Sequence, residues 1–183
     1  MARDHGRTQR FIDHNLSVLD IYSRLRALYT NDLKNGGVLT KSDIHPNGVY
    51  PKPRPDIYLH FKKGGQELDF MVEYFEADMP WFVIKQTITK YMDHVENGDW
   101  DDTDTPYPPV LLVSQSEQTQ KRLIKHITQS LEQIWLEELH FALTTLDKLN
   151  NASSKTDKIW LPINDEVGKP TALGGLWVKQ SEE

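Results

Sequence analysis

Apolar side chains recur near helical spacing between residues 13 and 29, where Leu16, Leu19, Tyr22, Leu25 and Leu28 fall on neighbouring turns. That spacing predicts an amphipathic helix laid over a sheet, with Asp13 as its N-cap. Asn35-Gly36-Gly37 breaks the pattern, and His45-Pro46-Asn47-Gly48 with Pro51, Pro53 and Pro55 keeps the following stretch extended and irregular. From Ile57 the period changes to two. Ile57, Leu59 and Phe61 alternate with Tyr58, His60 and Lys62, a half-buried strand that ends at the turn Lys63-Gly64-Gly65. A longer apolar strand over 67–77 pairs back on it.

Beyond Pro80 the run 81–95 reads as a helix, with the proline in its first turn and Gly98 just past its end. Residues 97–109 form a loop. Val110 to Val113 is a short continuous apolar run, the mark of a strand buried on both faces, and a long helix over 117–135 follows it. Phe141 to Leu143 and Ile159 to Leu161 are further strands. The order α-β-β-α-β-α-β-β, a hairpin followed by helical crossovers, implies an α/β fold with a mixed sheet flanked by helices on both faces.

Length and composition bound this picture. A chain of 183 residues with 38% hydrophobic and 10% aromatic residues suits one domain able to bury roughly 70% of its unfolded surface. We divide it into a flexible basic lead, 1–12, and a single α/β domain, 13–183. No stretch approaches the roughly 20 apolar residues that span a bilayer, and the opening MARDHGRTQR lacks the apolar segment of a signal peptide, so a soluble, cytoplasmic chain is expected. With no cysteine, disulfides, thiolate metal sites and cysteine nucleophiles are excluded. The net charge of −6 supplies no global attraction to a polyanion, so contact with nucleic acid requires a local patch. Two exist: Arg3, Arg7 and Arg10 at the start, and Lys52, Arg54, Lys62 and Lys63 around the first strand.

Candidate chemistry gathers around the hairpin. Pro55-Asp56 stands where the proline-rich segment enters a strand, and the next strand delivers Glu73, Glu76 and Asp78 near its end. Alternation puts Glu76 and Asp78 on one face and Glu73 on the other. A carboxylate from one strand and two from its neighbour form an oxygen cage suited to Mg²⁺ or Mn²⁺ and a phosphate. Lys90 shares a helical stripe with Val83, Thr87 and His94, from which it can reach the sheet edge; acids solvated at a strand end beside an outward lysine is the plainer alternative. Elsewhere the signals are structural. Asp99, Asp101, Asp102 and Asp104 lack calcium-loop spacing, Ser114-Gln115-Ser116 reads as a helix start, and His126 and His140 as surface or packing residues. Trp160 and Trp177 are expected to anchor the C-terminal segment, and Gly174-Gly175 forms no phosphate loop.

Pro55-Asp56, the pair Glu76-Ala77-Asp78 closing an apolar strand, and Lys90 on the next helix resemble the PD-(D/E)xK nuclease superfamily. With His14 and Leu16 on the first helix, His94 four residues after Lys90, and the strand Val110-Leu111-Leu112-Val113, the run more narrowly resembles the nuclease-like part of the replication-relaxation family of bacterial plasmids and mobile elements. The resemblance implies a restriction-endonuclease-like core and a DNA-associated hydrolase of plasmid replication or mobilisation. It implies Mg²⁺ or Mn²⁺ held by Asp56, Glu76 and Asp78, with Lys90 supporting the attacking water. DNA and a separate DNA-binding or replication protein are the partners it suggests. Two departures are concrete: Met79-Pro80-Trp81 stands where an Arg-Gly-Thr-like segment is usual, and the superfamily lysine, normally two residues after the acid, must come instead from Lys90. These favour an alternative in which the fold is kept as a non-catalytic DNA-binding or assembly module, and beyond it a protein-binding domain. An alternative register places Glu73 instead of Glu76 at the site.

Overall fold

The computed structural model describes residues 2–45, 48–63, 66–103, 105–134, 136, 138–164 and 167–177. Six strands, β1 (Leu33–Thr40), β2 (Ile57–Lys63), β3 (Gln66–Phe75), β4 (Val110–Ser114), β5 (Phe141–Thr145) and β6 (Leu161–Ile163), make one mixed sheet in which spatial order follows chain order. β1, β2 and β3 form an antiparallel meander, β3, β4 and β5 run parallel, and β6 is antiparallel to β5. Five helices accompany them: α1 (Ala2–Tyr29), α2 (Trp81–Glu96), α3 (Glu117–Leu131), α4 (Leu146–Asn151) and α5 (Leu173–Trp177). None of the described helices is long and apolar enough to cross a membrane. The expected mixed α/β sheet with flanking helices is therefore what the chain forms.

Two cores result, one on each face. Met71 and Phe75 of β3, with Val110 and Leu112 of β4, pack on Ile84, Ile88 and Tyr91 of α2 and Leu123 and Ile127 of α3. The alternate positions, Phe70, Val72, Leu111 and Val113, pack on Val18, Ile21 and Leu25 of α1 and Leu149 of α4. β4 is buried at every position, as its unbroken apolar run requires of a strand covered on both sides. Ser116 caps α3, its hydroxyl accepting from the Thr119 amide at 3.1 Å, so the Ser114-Gln115-Ser116 segment is a helix start. Trp160 is fully buried and bridges Thr171, tying the C-terminal segment to the core. The side chain of Trp177 lies outside the described residues.

Several boundaries differ from the sequence reading. α1 begins at Ala2, so Asp13 lies inside the helix, where it accepts from Gln9 one turn back, and the lead 2–12 is helical backbone. β1 was hidden by Asn35-Gly36-Gly37, which reads as a turn. The strand tolerates it through an irregular register between Leu33 and Val38, the distortion that glycine permits. β3 ends at Phe75, two residues short of the expected end, because a turn closed by the Met79 amide on the Glu76 carbonyl (3.3 Å) leads into Pro80. β6 sits two residues later than expected, α3 stops at Leu131, and α4 was not foreseen. The turn at Gly64-Gly65 lies outside the described residues. Gly98 follows α2 at φ 67, and its amide donates to the Val95 carbonyl at 3.0 Å. That left-handed geometry is the reason glycine ends this helix.

Candidate functional site

The site forms where β2 and β3 lie side by side under α2. The incoming chain carries prolines at 51, 53 and 55 and is irregular, bending at 52–53 with a cis Lys52-Pro53 peptide where an extended path was expected, and Asp56 is delivered at the mouth of β2. The register pairing Ile57 with Val72 brings Asp56 alongside Glu73 and Tyr74. Asp56 Oδ2 accepts the Tyr74 amide at 3.1 Å, while Oδ1 faces His14 Nε2 at 3.5 Å and Lys41 Nζ at 3.9 Å. The residue is only 6% exposed. Burial alone raises its pKa, but His14, the Tyr74 amide and Lys41 outweigh burial and hold it below the ordinary carboxylate value.

Glu73 is 5% exposed and lies on the α2 face of β3. Lys90 Nζ donates to Glu73 Oε1 at 2.6 Å and to the Pro53 carbonyl at 2.8 Å, so one ammonium ties α2 to both the sheet and the proline-rich segment. The Tyr91 hydroxyl donates to the same Oε1 at 2.5 Å. Burial pushes Glu73 up, Lys90 pulls it back, and the neighbouring charge of Asp56 pushes it up again; the net direction is upward. Burial and the Glu73 charge hold Tyr91 well above a normal phenol, so it remains a donor. Lys90 reaches the sheet from the stripe its spacing predicts.

Glu76 and Asp78 do not share a face, because strand alternation stops at Phe75. Glu76 Oε1 lies 3.3 Å from His14 Nδ1, so the imidazole bridges Asp56 and Glu76 with one ring nitrogen toward each. The hydrogen bond to Asp56 raises the His14 pKa despite burial, and Glu76 adds to the effect. Protonated, the ring offers both carboxylates an N–H. Asp78 extends into solvent, its side chain 70% exposed and 3.8 Å from Arg10. The structure thus gathers Asp56 and Lys90 with Glu73, sets Glu76 behind His14, and leaves Asp78 outside. Tyr91 and Lys41 were missed; Tyr91 follows Lys90 directly, but nothing in the spacing marks it as a partner of Glu73.

The basic residues are dispersed. Lys52 is exposed beside α2, Arg54 donates to the Ile44 carbonyl, and Lys62 lies 3.6 Å from Glu67. The side chains of Arg3, Arg7 and Lys63 lie outside the described residues, as does Asp104. His94 is buried and its Nε2 donates to the Val49 carbonyl at 2.6 Å, whereas Leu16 is exposed. His126 packs on Trp81 with ring centroids 5.7 Å apart, a packing role. On the same sheet face, Tyr58 and His60 of β2 both contact Asp69 of β3. This second polar cluster follows from period-two alternation across the hairpin.

Among the described residues no group of three or more His, Asp or Glu side chains forms a metal cage. The carboxylates that could serve the ion that the resemblance implies are those of Asp56 and Glu73. Asp56 stands just before β2 and Glu73 within β3, near enough for the Asp56 charge to raise Glu73, and Mg²⁺ takes one or two such oxygens and fills its shell with water and phosphate. Both contacts described on Glu73 fall on Oε1, and those on Asp56 Oδ1 are long, at 3.5 and 3.9 Å. Comparison of the chain with protein-family models, with curated proteins and with solved structures finds no match.

Proposed function

We propose that the chain is a DNA-associated protein with a PD-(D/E)xK nuclease-like core, of the kind that serves plasmid or mobile-element replication, and that it cleaves phosphodiesters at Asp56, Glu73 and Lys90. The observation that carries this reading is the buried contact of Lys90 with Glu73, 2.6 Å, on the strand position beside Asp56. Three features support it: a Pro-Asp opening one strand, an acid within the next, and a lysine returned to that acid by the following helix. In this register Glu73 takes the place of Glu76, and the missing strand lysine is supplied from α2.

Asp56 and Glu73 would hold the Mg²⁺ or Mn²⁺. A bound divalent ion lowers the pKa of its water and neutralises charge developing on the phosphate. Lys90 would stand beside the attacked phosphate and orient the attacking water, Tyr91 fixes the Glu73 carboxylate, and the Tyr74 amide fixes that of Asp56.

A second reading, a non-catalytic DNA-binding or assembly module, is favoured by one observation. Both carboxylates already have cations from the protein itself, Lys90 on Glu73 and His14 with Lys41 on Asp56. A nicking assay on supercoiled plasmid with Mg²⁺ or Mn²⁺ separates the readings. Wild type should nick; Asp56→Ala, Glu73→Gln and Lys90→Ala should lose at least about a hundredfold, the scale of a removed general-acid, general-base or electrostatic group. Glu76→Gln should keep most of the rate. An inert wild type removes the catalytic reading, and loss in Glu76→Gln but not Glu73→Gln removes this register.

A further inference from the structure

The proline-rich segment is clamped to α2 at two points one helical turn apart. Lys90 Nζ donates to the Pro53 carbonyl and His94 Nε2 to the Val49 carbonyl. Between these clamps and the helix lies an open cleft of about 330 Å³. The helix supplies Asp93 and Asn97 from the stripe that carries Lys90, and the segment opposite supplies Val49, Tyr50 and Lys52, with Asp99 at the far end. Tyr50 is set as a firm wall, its ring braced edge-on by Tyr58 at 5.0 Å and by Trp100 at 6.0 Å.

The lining selects among ligand classes by charge. Lys52 and Lys90 balance Asp93 and Asp99, so the cleft as a whole favours neither an anion nor a cation. Two carboxylates in its walls ask for N–H donors on the ligand, and the Asn97 amide can either donate or accept. A flat aromatic wall and the exposed Val49 suit a planar ring. The cation at one end, Lys52, suits a phosphate attached to that ring, and Lys90 is shared with the Asp56 and Glu73 site.

We propose that this cleft is a base-binding subsite that takes one unstacked nucleobase bearing an exocyclic amino group, while its phosphate lies against Lys52 and Lys90. The subsite rests on the reading of the site as one that handles nucleic-acid backbone. Enzymes that work on an extruded nucleotide hold its base by aromatic contact and by hydrogen bonds to its Watson–Crick edge. Adenine, cytosine and guanine each present an amino group on that edge, whereas thymine presents two carbonyls around a single N–H. The acids of the cleft therefore favour these three amino-bearing bases over thymine, and adenine and cytosine serve as the probes.

The test is binding, so it does not depend on turnover. Fluorescence anisotropy of labelled single-stranded hexamers of deoxyadenosine, deoxycytidine and thymidine, in chelator and low salt, should give Kd values about tenfold lower for the first two than for thymidine. Asp93→Ala with Asn97→Ala, both at exposed positions, should erase that difference while keeping the wild-type circular dichroism and urea midpoint. Lys52→Ala should weaken all three hexamers alike and reduce the salt slope by about one charge. Equal affinity of the wild type for all three hexamers, or a preference unchanged in the double variant, overturns the subsite, as does a cleft filled instead by an arginine-rich peptide that binds without competing with any hexamer. Plasmid nicking by the wild type reports separately on the cleavage reading. A base preference without nicking retains the subsite and removes cleavage, and nicking without a base preference does the reverse.

Discussion

Replacing Lys90 with methionine isolates the energetics on which the site depends. The Lys90 and Glu73 side chains are 9% and 7% exposed and in contact at 2.6 Å. Methionine keeps much of the stem and removes the charge, leaving a buried carboxylate with the Tyr91 hydroxyl as its remaining described donor. Breaking a buried pair on one side costs about 3–5 kcal/mol, a large share of the roughly 5–15 kcal/mol that holds a domain together. The loss has a pH signature. Burial already pushes Glu73 above the ordinary carboxylate value, and Lys90 is the main influence pulling it down. Without Lys90 the native state retains the Glu73 proton to higher pH than the unfolded chain does. Wherever the native state holds one proton more, stability falls by about 1.4 kcal/mol per unit rise in pH. Moving from pH 7 to pH 5 should thus return up to about 3 kcal/mol to Lys90→Met, and less to wild type. Urea denaturation followed by circular dichroism, in chelator at both pH values, measures this directly. A deficit below about 1 kcal/mol at pH 7, or one equal at the two pH values, refutes the buried pair. The double variant Glu73→Gln/Lys90→Met, which removes both charges, should recover much of the loss.

Two further outcomes follow from the same geometry. Asp56 is held below 3.8 by partners that outweigh its burial, so its ionised form stabilises the fold above that pH, and the contribution is lost as pH falls through the folded value. Asp56→Ala should be less stable than wild type by about 1–3 kcal/mol near neutrality, since it orphans the Tyr74 amide as well, and the gap should narrow in acid titrations below pH 3.8. Ser116→Ala removes the hydroxyl that accepts the Thr119 amide and should cost about 1 kcal/mol, read as a lower thermal midpoint.

Much of this architecture is written locally. The two-residue period around Ile57, the uninterrupted Val110 run and the punctuation of α2 by Pro80 and Gly98 each identify an element by its own chemistry, and the structure keeps all three. What failed to be legible depends on neighbours. The Asn35-Gly36-Gly37 run reads as a turn until β2 is present to pair with Leu33 and Val38 on either side of it. Asp13 looks like a cap until the helix is seen to extend past it toward the N-terminus. At the site, the faces of β3 are readable, but the point where alternation ends is not. Glu76 and Asp78 therefore looked paired, while Glu73, on the opposite face, had no visible partner. Lys90 was legible as reaching the sheet. Its choice of Glu73 comes from the register of β2 against β3 and the seating of α2, both tertiary.

The ends of the sheet have a consequence for behaviour in crowded solution. A sheet whose strands follow chain order exposes two rims, and an unguarded rim is a template for another molecule's backbone. Here one rim is β1, whose ladder is interrupted between Leu33 and Val38. The other is β6, three residues long with Pro162 at its centre and Val167 folded back as a bridge to Ile163. Among the described residues neither rim offers a long, straight row of unpaired amides, so the same irregularities that obscure these strands in the sequence discourage edge-on recruitment of further copies and the fibrous aggregation that such recruitment begins.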